Sequence, residues 1–224
     1  MLKKRIFILW LVMMVVAMIL STTNVHAEVV NSFPQTVLDL KDEEDLRSFS
    51  ERLKYLSEPE LQEVIDCVKT ASEEKISMEI VAAKGAWLAA AQIARLSGYP
   101  LSATLVEHSV WNSDYSETNG NFADAIKTTD VYQRMVENGE GSDSFEKSDY
   151  VDLFYSIHRF SYYSSENGQG VRINVRDTFD FAFDTSYDSL FTSIVNNWAY
   201  LNQNVGVLNP IEVYIYLDEY NLGG

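Results

Sequence analysis

Cysteine, histidine and basic side chains are scarce in this sequence of 224 residues. It contains one cysteine and three histidines, and 17 Lys and Arg stand against 33 Asp and Glu. A single cysteine excludes an intramolecular disulfide. Cys67 shares an apolar helical stripe with Leu61, Val64 and Val68, so we expect it to be a small buried hydrophobe. A reactive thiol or an intermolecular disulfide is the alternative.

Strong catalytic and metal-binding motifs are also missing. The sequence has no GxSxG, P-loop, HExxH or CxxC pattern. The two histidines beyond the N-terminal segment cannot form a three-histidine zinc site. The acidic segment 112–124 fails the EF-hand pattern, because taking Gly120 as its sixth position puts Tyr115 where an Asp is needed. We therefore predict no metal and no cofactor, with a calcium site of another kind in 112–124 as the alternative.

The scarcity of positive charge limits the classes of partner. The formal net charge is −16, and the first 27 residues hold three of the basic residues and none of the acidic ones. The remainder therefore carries −19, which repels phosphate backbones and anionic lipids. We predict no nucleic-acid partner, and a basic or neutral protein fits the charge better. The charge can also act only to keep the protein soluble.

The N-terminus has the three parts of a secretory signal peptide. Lys3, Lys4 and Arg5 precede the apolar run 6–20, and residues 21–27 end in Val25-His26-Ala27. This predicts cleavage after Ala27 and a secreted, extracellular protein, with a lead-in at 28–40 and one domain at 41–224. The alternative is an uncleaved membrane anchor, although the run is shorter than the ~20 residues of a spanning helix. The low cysteine content of an exported chain favours a bacterial source.

Helical periodicity dominates the first half of the sequence. It predicts helices over 42–56, from Pro59 onwards, over 76–97, over 100–110 and over 130–137, and one that follows Ser148 and carries Phe160. The helix 76–97 is apolar on nearly every face, so we expect it to be buried at the centre of the core. Its alanines and Gly85 allow close packing, and Gly98 is expected to end it.

Period-two alternation follows in the second half. It predicts strands over 171–183 and 211–217, a further strand near Tyr162-Tyr163, and a helix over 187–205 between them. Segments 111–121 and 139–144 are predicted to be polar loops. The predicted fold class is α+β: a predominantly helical N-terminal half with a central Ala-rich helix, and a small antiparallel sheet in the C-terminal half.

Asp177 is the exception within the strand pattern. The odd positions of 171–183 are apolar except for this carboxylate, so a straight strand would direct it into the core. A buried carboxylate must be paired or protonated, and either state marks a candidate site. The alternative is a bulge or bend near Arg176 to Thr178 that frees Asp177.

Three other polar residues fall on apolar helical stripes. They are His108, His158 and Asn197. A lone histidine on such a stripe is usually a hydrogen-bonded core residue, although it can serve as a base or ligand. We hypothesise that His158, Asp177 and Asn197 converge in a polar cluster, with Asn197 as a binding residue. His158, Asp177 and His108 are the weak catalytic candidates.

Three stretches resemble a C-terminal pattern found in an uncharacterised family of exported bacterial proteins. They are Leu153-Phe154-Tyr155-Ser156-Ile157-His158, Val175-Arg176-Asp177-Thr178-Phe179-Asp180-Phe181 and Val195-Asn196-Asn197-Trp198-Ala199-Tyr200. The resemblance covers roughly residues 80–217. It implies an exported protein and no particular activity.

The sequence favours a binding or interaction protein without catalysis. Catalytic motifs are absent, and 13 tyrosines suit contact surfaces. One alternative is a secreted hydrolase or toxin-like effector that uses His158 or His108 with Asp177. Another is an immunity-type protein that neutralises a basic partner through its acidic surface. A membrane is an expected partner only if the N-terminal segment stays uncleaved.

Overall fold

The computed structural model describes residues 34–74, 80–168, 170–180 and 206–220 of the chain. A 3-10 turn at Pro34–Asp39 comes first. The helices are α1 (Glu43–Leu53), α2 (Glu58–Glu73), α3 (Ile80–Leu96), α4 (Pro100–Val110), α5 (Asn121–Lys127), α6 (Asp130–Asn138) and α7 (Val151–Ser156). The strands are β1 (Tyr115–Thr118), β2 (Glu140–Ser144), β3 (Arg159–Glu166), β4 (Gly170–Phe179) and β5 (Ile211–Tyr220). The fold is α+β, as predicted.

Helix α3 is the centre of the helical half. Twelve of its 17 residues are buried, and α1, α2 and α4 all contact it. A Cβ built on Gly85 would lie 2.9 Å from Cγ2 of Val37 and 3.1 Å from Cδ1 of Leu40, so glycine is what lets the 3-10 turn approach this helix. The prediction of a central helix with close packing at Gly85 is confirmed. The predicted lead-in is therefore partly core, because Val37 and Leu40 are buried.

Local capping explains where the first helices begin. The Asp42 carboxylate accepts a hydrogen bond from the Asp45 amide at 2.9 Å, and acidic residues fill the first turn of α1. At α2, the Glu60 carboxylate accepts from the Ser57 amide at 2.7 Å, and Pro59 stands in the first turn. Both arrangements satisfy amides that have no partner within the helix. Gly98, with φ of +91°, follows α3 in the conformation expected of a residue that ends a helix.

The sheet differs from the predicted one in size and direction. Its five strands lie in the order β1-β5-β4-β3-β2, and β1 is parallel to β5 while all other pairs are antiparallel. The sheet is therefore mixed. Strand β1 lies in the predicted loop 111–121 and β2 in the predicted loop 139–144, so both loop predictions were wrong. Both are short polar strands at the edges of the sheet, where no apolar alternation is required.

The two faces of the sheet have different compositions. One face packs under α5 and α6 and continues the hydrophobic core of the helices. Among the described residues, the buried apolar side chains of the sheet lie on this face; the opposite face is called the open face below. The buried side chains on the helix side include Phe160, Tyr162, Ile173, Val175, Val213, Ile215 and Leu217. The alternation of side chains along each strand separates these residues from the polar ones between them.

The remaining predicted helices and strands are compared with the structure next. The helix expected after Ser148 is only α7, and Phe160 belongs to β3; a strand does include Tyr162 and Tyr163. Strand β4 ends at Phe179, and Asp180 is not part of it. Residues 181–183 of the predicted strand, the helix 187–205 and the predicted signal peptide lie outside the described residues. In the part of the chain that is described, no helix is both long and apolar enough to cross a bilayer.

Candidate functional site

A groove of about 750 Å³ lies at one end of the sheet. Strands β2, β3, β4 and β5 all line it. Each neighbouring pair of these strands is antiparallel, so the ends of β2 and β4 lie beside the starts of β3 and β5. Its lining consists of Ser142, Asp143, Ser144, Arg159, Phe160, Ser161, Arg176, Asp177, Thr178 and Glu212. This groove on the open sheet face is large enough to hold a small ligand.

Strand alternation divides this lining into two sets. Ser161 pairs with Ser142 and Arg176, and Thr178 pairs with Glu212, so these side chains share the open face. Arg159 and Ser144 form the next pair on the same face. The intervening residues Asp143, Phe160 and Asp177 direct their side chains to the helix side. The groove therefore presents two guanidinium groups, four hydroxyls and one carboxylate.

Arg176 is held in place by aromatic rings. Its guanidinium carbon lies 5.7 Å from the ring centre of Tyr163 and 5.2 Å from that of Tyr214. Both distances are within the range of a cation–π contact. Neither Arg176 nor Arg159 forms an ion pair with any residue the structure describes.

Arg172, on the same face of β4, differs from the two groove arginines because it forms an ion pair with Asp218. Its guanidinium donates to both oxygens of Asp218, at 2.6 and 2.9 Å. These bonds hold the pKa of Asp218 below its usual range. The guanidinium also stacks on Tyr216, 5.1 Å from the ring centre. The two groove arginines lack such a carboxylate partner.

The acidic residues of the lining differ in their surroundings. Glu212 lies on the open face, where its carboxylate accepts a 3.2 Å bond from the Thr178 hydroxyl. Asp143 is held from the helix side by Arg134 at 2.8 and 3.0 Å, and these bonds lower its pKa. Of the two, only Glu212 adds its charge to the open face of the groove.

Asp177 lies in an unbroken strand. The register with β5 is continuous from Gly170 to Phe179 and pairs Asp177 with Val213, so a bulge near Arg176 to Thr178 is excluded. The carboxylate is half-buried and accepts a bond from the Thr178 amide at 2.8 Å. Burial is the main cause that raises the pKa of Asp177, to about 7; the charges of Asp180 and Glu212 raise it further. Of the two alternatives for this residue, the structure has the straight strand, and it leaves the Asp177 side chain half-buried at the lining of the groove.

The two candidate histidines lie at other places in the fold. His158 contacts the Phe145 carbonyl through Nδ1 at 3.0 Å and packs against Phe154. His108 contacts the Ser113 carbonyl through Nδ1 at 3.0 Å and meets the ring of Tyr115 edge-on. Within the described residues, no hydrogen bond joins either histidine to Asp177. Asn197 lies outside those residues, so its convergence with them stays a hypothesis.

In the acidic segment 112–124, the carboxylate of Glu117 accepts hydrogen bonds from other residues of the same segment. Glu117 in β1 accepts from the Tyr115 hydroxyl at 2.7 Å and from the Ala123 amide at 2.8 Å. Burial, followed by the bond to Glu117, raises the pKa of Tyr115 well above its usual value. In the described ranges, no group of three or more His, Cys, Asp or Glu side chains is placed to hold a metal ion.

Two buried carboxylates, Asp152 and Asp218, were not singled out from the sequence. Asp152 is 1% exposed and binds the start of α4: it accepts from the Leu101 amide at 2.7 Å, the Ser102 amide at 2.9 Å and the Ser102 hydroxyl at 2.6 Å. Burial raises the pKa of Asp152, and these bonds oppose that shift. Its position beside Leu153 in a helix with many apolar residues was the available signal.

Cys67 is half-buried against the core. Burial and the nearby charges of Glu63 and Asp66 raise the pKa of its thiol. Since the thiolate is the reactive form, this environment disfavours nucleophilic chemistry at Cys67.

The chemistry that the groove offers is recognition by charge and hydrogen bonding. Among the described residues, no hydroxyl or thiol in the groove is hydrogen-bonded to a histidine that could serve as its base. A search against protein-family models, curated proteins and solved structures finds no match for this chain.

Proposed function

We propose that this chain is an exported binding protein without catalytic activity, and that its ligand occupies the groove at the end of the sheet. The observation that carries the proposal is the state of Arg159 and Arg176. Both are exposed, and neither has an ion-pair partner among the described residues. Acidic residues outnumber basic ones by 33 to 17. In so acidic a chain, two neighbouring arginines without carboxylate partners mark a place built for another molecule.

The open sheet face supports the same proposal. Tyr163 is 40% exposed, and together with Tyr214 and Tyr216 it gives this face three aromatic rings beside arginines. Tyrosine and arginine are the residue types most enriched at protein interfaces. The net charge favours a partner that is basic or neutral as a whole, whereas the two arginines would face an anionic group on it. An immunity-type protein that neutralises a basic partner through the acidic surface stays a separate alternative.

The enzymatic alternative has one observation in its favour. A carboxyl whose pKa is about 7, half-buried at a groove, is suited to general acid or base catalysis. The sequence-based hypothesis paired this carboxyl with a histidine. His108 and His158 instead contact backbone carbonyls, and no hydrogen bond among the described residues joins either of them to Asp177. A hydrolase that depends on Asp177 is therefore the second candidate.

Filling the groove tests the proposal. Ser161 is exposed on the open face between Ser142 and Arg176, so Ser161→Trp places a large ring in the groove. Ser48 is an exposed residue of α1, and Ser48→Trp is the matched control. Both variants and the unsubstituted protein are immobilised and exposed to the medium of the producing cells, and bound molecules are identified by mass spectrometry.

We expect a molecule that the unsubstituted protein and Ser48→Trp retain equally and that Ser161→Trp retains at least about tenfold less, which is a change of about 1.4 kcal/mol. Equal retention by all three proteins would place the binding surface elsewhere. Turnover of a substrate in a hydrolase panel that disappears in Asp177→Asn would instead establish the enzymatic alternative.

A further inference from the structure

We infer that the groove binds a carboxylate group, held between the guanidinium groups of Arg159 and Arg176. The inference rests on the proposed function, since it names the ligand chemistry of the same site.

The register of the strands places the two arginines for a shared ligand. Arg176 pairs with Ser161, which is two residues from Arg159 on β3, so the two arginines are diagonal neighbours on one face. Such neighbours have backbones about 7–8 Å apart, within the reach of long side chains. Each guanidinium carries parallel N–H donors that match the two oxygens of a carboxylate. The hydroxyls of Ser142 and Ser144 in the same lining supply further donors.

Arg176 is arranged before any ligand arrives. Its stacking against the rings of Tyr163 and Tyr214 limits the rotamers that the side chain samples. Less side-chain freedom is then lost when a ligand binds.

The local charge selects a monoanion. On the open face, two guanidinium groups stand against the single carboxylate of Glu212; the other two carboxylates of the lining, Asp143 and Asp177, lie on the helix side, where Asp143 is paired with Arg134. The chain as a whole carries −16, so a polyanion would be repelled by everything around the groove. Short charge-assisted hydrogen bonds act within a few ångströms, where screening by salt is weak. A carboxylate therefore suits the site better than a phosphate dianion.

Two sources supply this chemistry: a small organic acid and the C-terminal carboxylate of a peptide. The probes are benzoate, an N-acetylated tripeptide with a free C-terminus, the same tripeptide as its C-terminal amide, and inorganic phosphate. The readout is the Nε–H signals of the arginines in NMR spectra of the full chain, which report on each guanidinium directly.

We expect the free-acid tripeptide or benzoate to shift the Arg159 and Arg176 signals in a saturable way, and the amide to leave them unchanged. If only the tripeptide does so, the source is a peptide terminus; if benzoate binds as well as the tripeptide, it is a small acid. Arg159→Gln and Arg176→Gln should each weaken the affinity at least about tenfold. Arg47→Gln is the control, since Arg47 lies on α1 and pairs with Glu43.

The variant Arg159→Lys distinguishes the loss of the guanidinium from a loss of folding. It keeps the charge and removes the planar fork of donors, so a loss of affinity with an unchanged melting temperature assigns the effect to the guanidinium. The inference is overturned if no carboxylate probe saturates these signals up to about 50 mM, or if phosphate binds more tightly than the carboxylates. The groove-filling comparison at Ser161 uses ligands of any chemistry, so the proposed function can survive that result.

Discussion

The two faces of the sheet are built by the same strands and have opposite properties. On the helix side, Ile173 and Val175 of β4 and Ile215 of β5 are at most 1% exposed. On the open side, Arg176, which directly follows Val175 in β4, is exposed, and Tyr163 of β3 is 40% exposed. The helix side supplies the apolar burial that stabilises the fold, whereas the exposed residues of the open side contribute little to the free energy of folding. Residues on the open side can therefore be selected for binding.

The largest expected effect comes from removing a side chain on the helix side. Ile215→Ala should lower the free energy of unfolding by about 3 kcal/mol, because it creates a cavity where Ile215 is fully buried. Ser116 of β1 is exposed and pairs with Tyr214 on the open face. Ser116→Ala should change stability by less than about 0.5 kcal/mol. Urea unfolding monitored by circular dichroism measures both, and similar losses in the two variants would contradict the division between the faces.

A smaller effect is expected for the polar group buried within the helices. Asp152→Ala should cost about 2 kcal/mol, because it leaves the amides of Leu101 and Ser102 buried without an acceptor. Asp149→Ala is the control, since Asp149 accepts a single bond from the Glu146 amide at an exposed position. Thermal and urea unfolding of the two variants compare them directly. An effect no larger than that of the control would show that water replaces the Asp152 carboxylate at the start of α4.

The smallest expected effect concerns the one carboxylate on the helix side of β4. The folded pKa of Asp177, about 7, lies above the value of 3.8 expected for an unfolded chain, so the folded state binds this proton more tightly. Its stabilising contribution is full below about pH 4 and is lost as the pH rises towards 7. Asp177→Asn should therefore be more stable than the unsubstituted protein by about 1 kcal/mol at pH 8, a value reduced for partial exposure.

Urea midpoints from pH 3 to pH 8 measure this difference. The advantage of Asp177→Asn should appear between pH 4 and pH 8 and vanish at the acidic end. A constant difference at every pH would mean that the proton on Asp177 is not linked to folding.

The sequence predicted the elements that bury a continuous apolar stripe and missed those that do not. Helix α3 and strand β5 were expected because each has a long apolar pattern. Helix α5 was missed because its seven residues are too few to establish a period, although Phe122 and Ile126 are fully buried. Strands β1 and β2 were missed because both are edge strands with polar side chains, and only their partners make them strands.

The candidate site was predictable in part. Asp177 stood out from its own strand, since a carboxylate interrupted an apolar alternation. Arg176 and Arg159 did not stand out, because what makes them neighbours is the register between β3 and β4. The two strands follow each other along the chain, with Glu166 paired to Val171, but the register could not be read from the sequence because the pattern placed Phe160 in a helix and not in β3. The histidines were singled out by residue type, and their contacts are with backbone carbonyls of nearby residues.

The placement of β5 between β1 and β4 has a consequence for the order in which the protein folds. Tyr115 of β1 pairs with Val213 of β5, a separation of 98 positions along the chain. Such distant pairings form slowly, because a long loop must close before any of its contacts is made. Until β5 is available, β1 has no neighbour and the sheet is incomplete. A chain synthesised from its N-terminus therefore acquires its helical core early and the face proposed for binding only near the end.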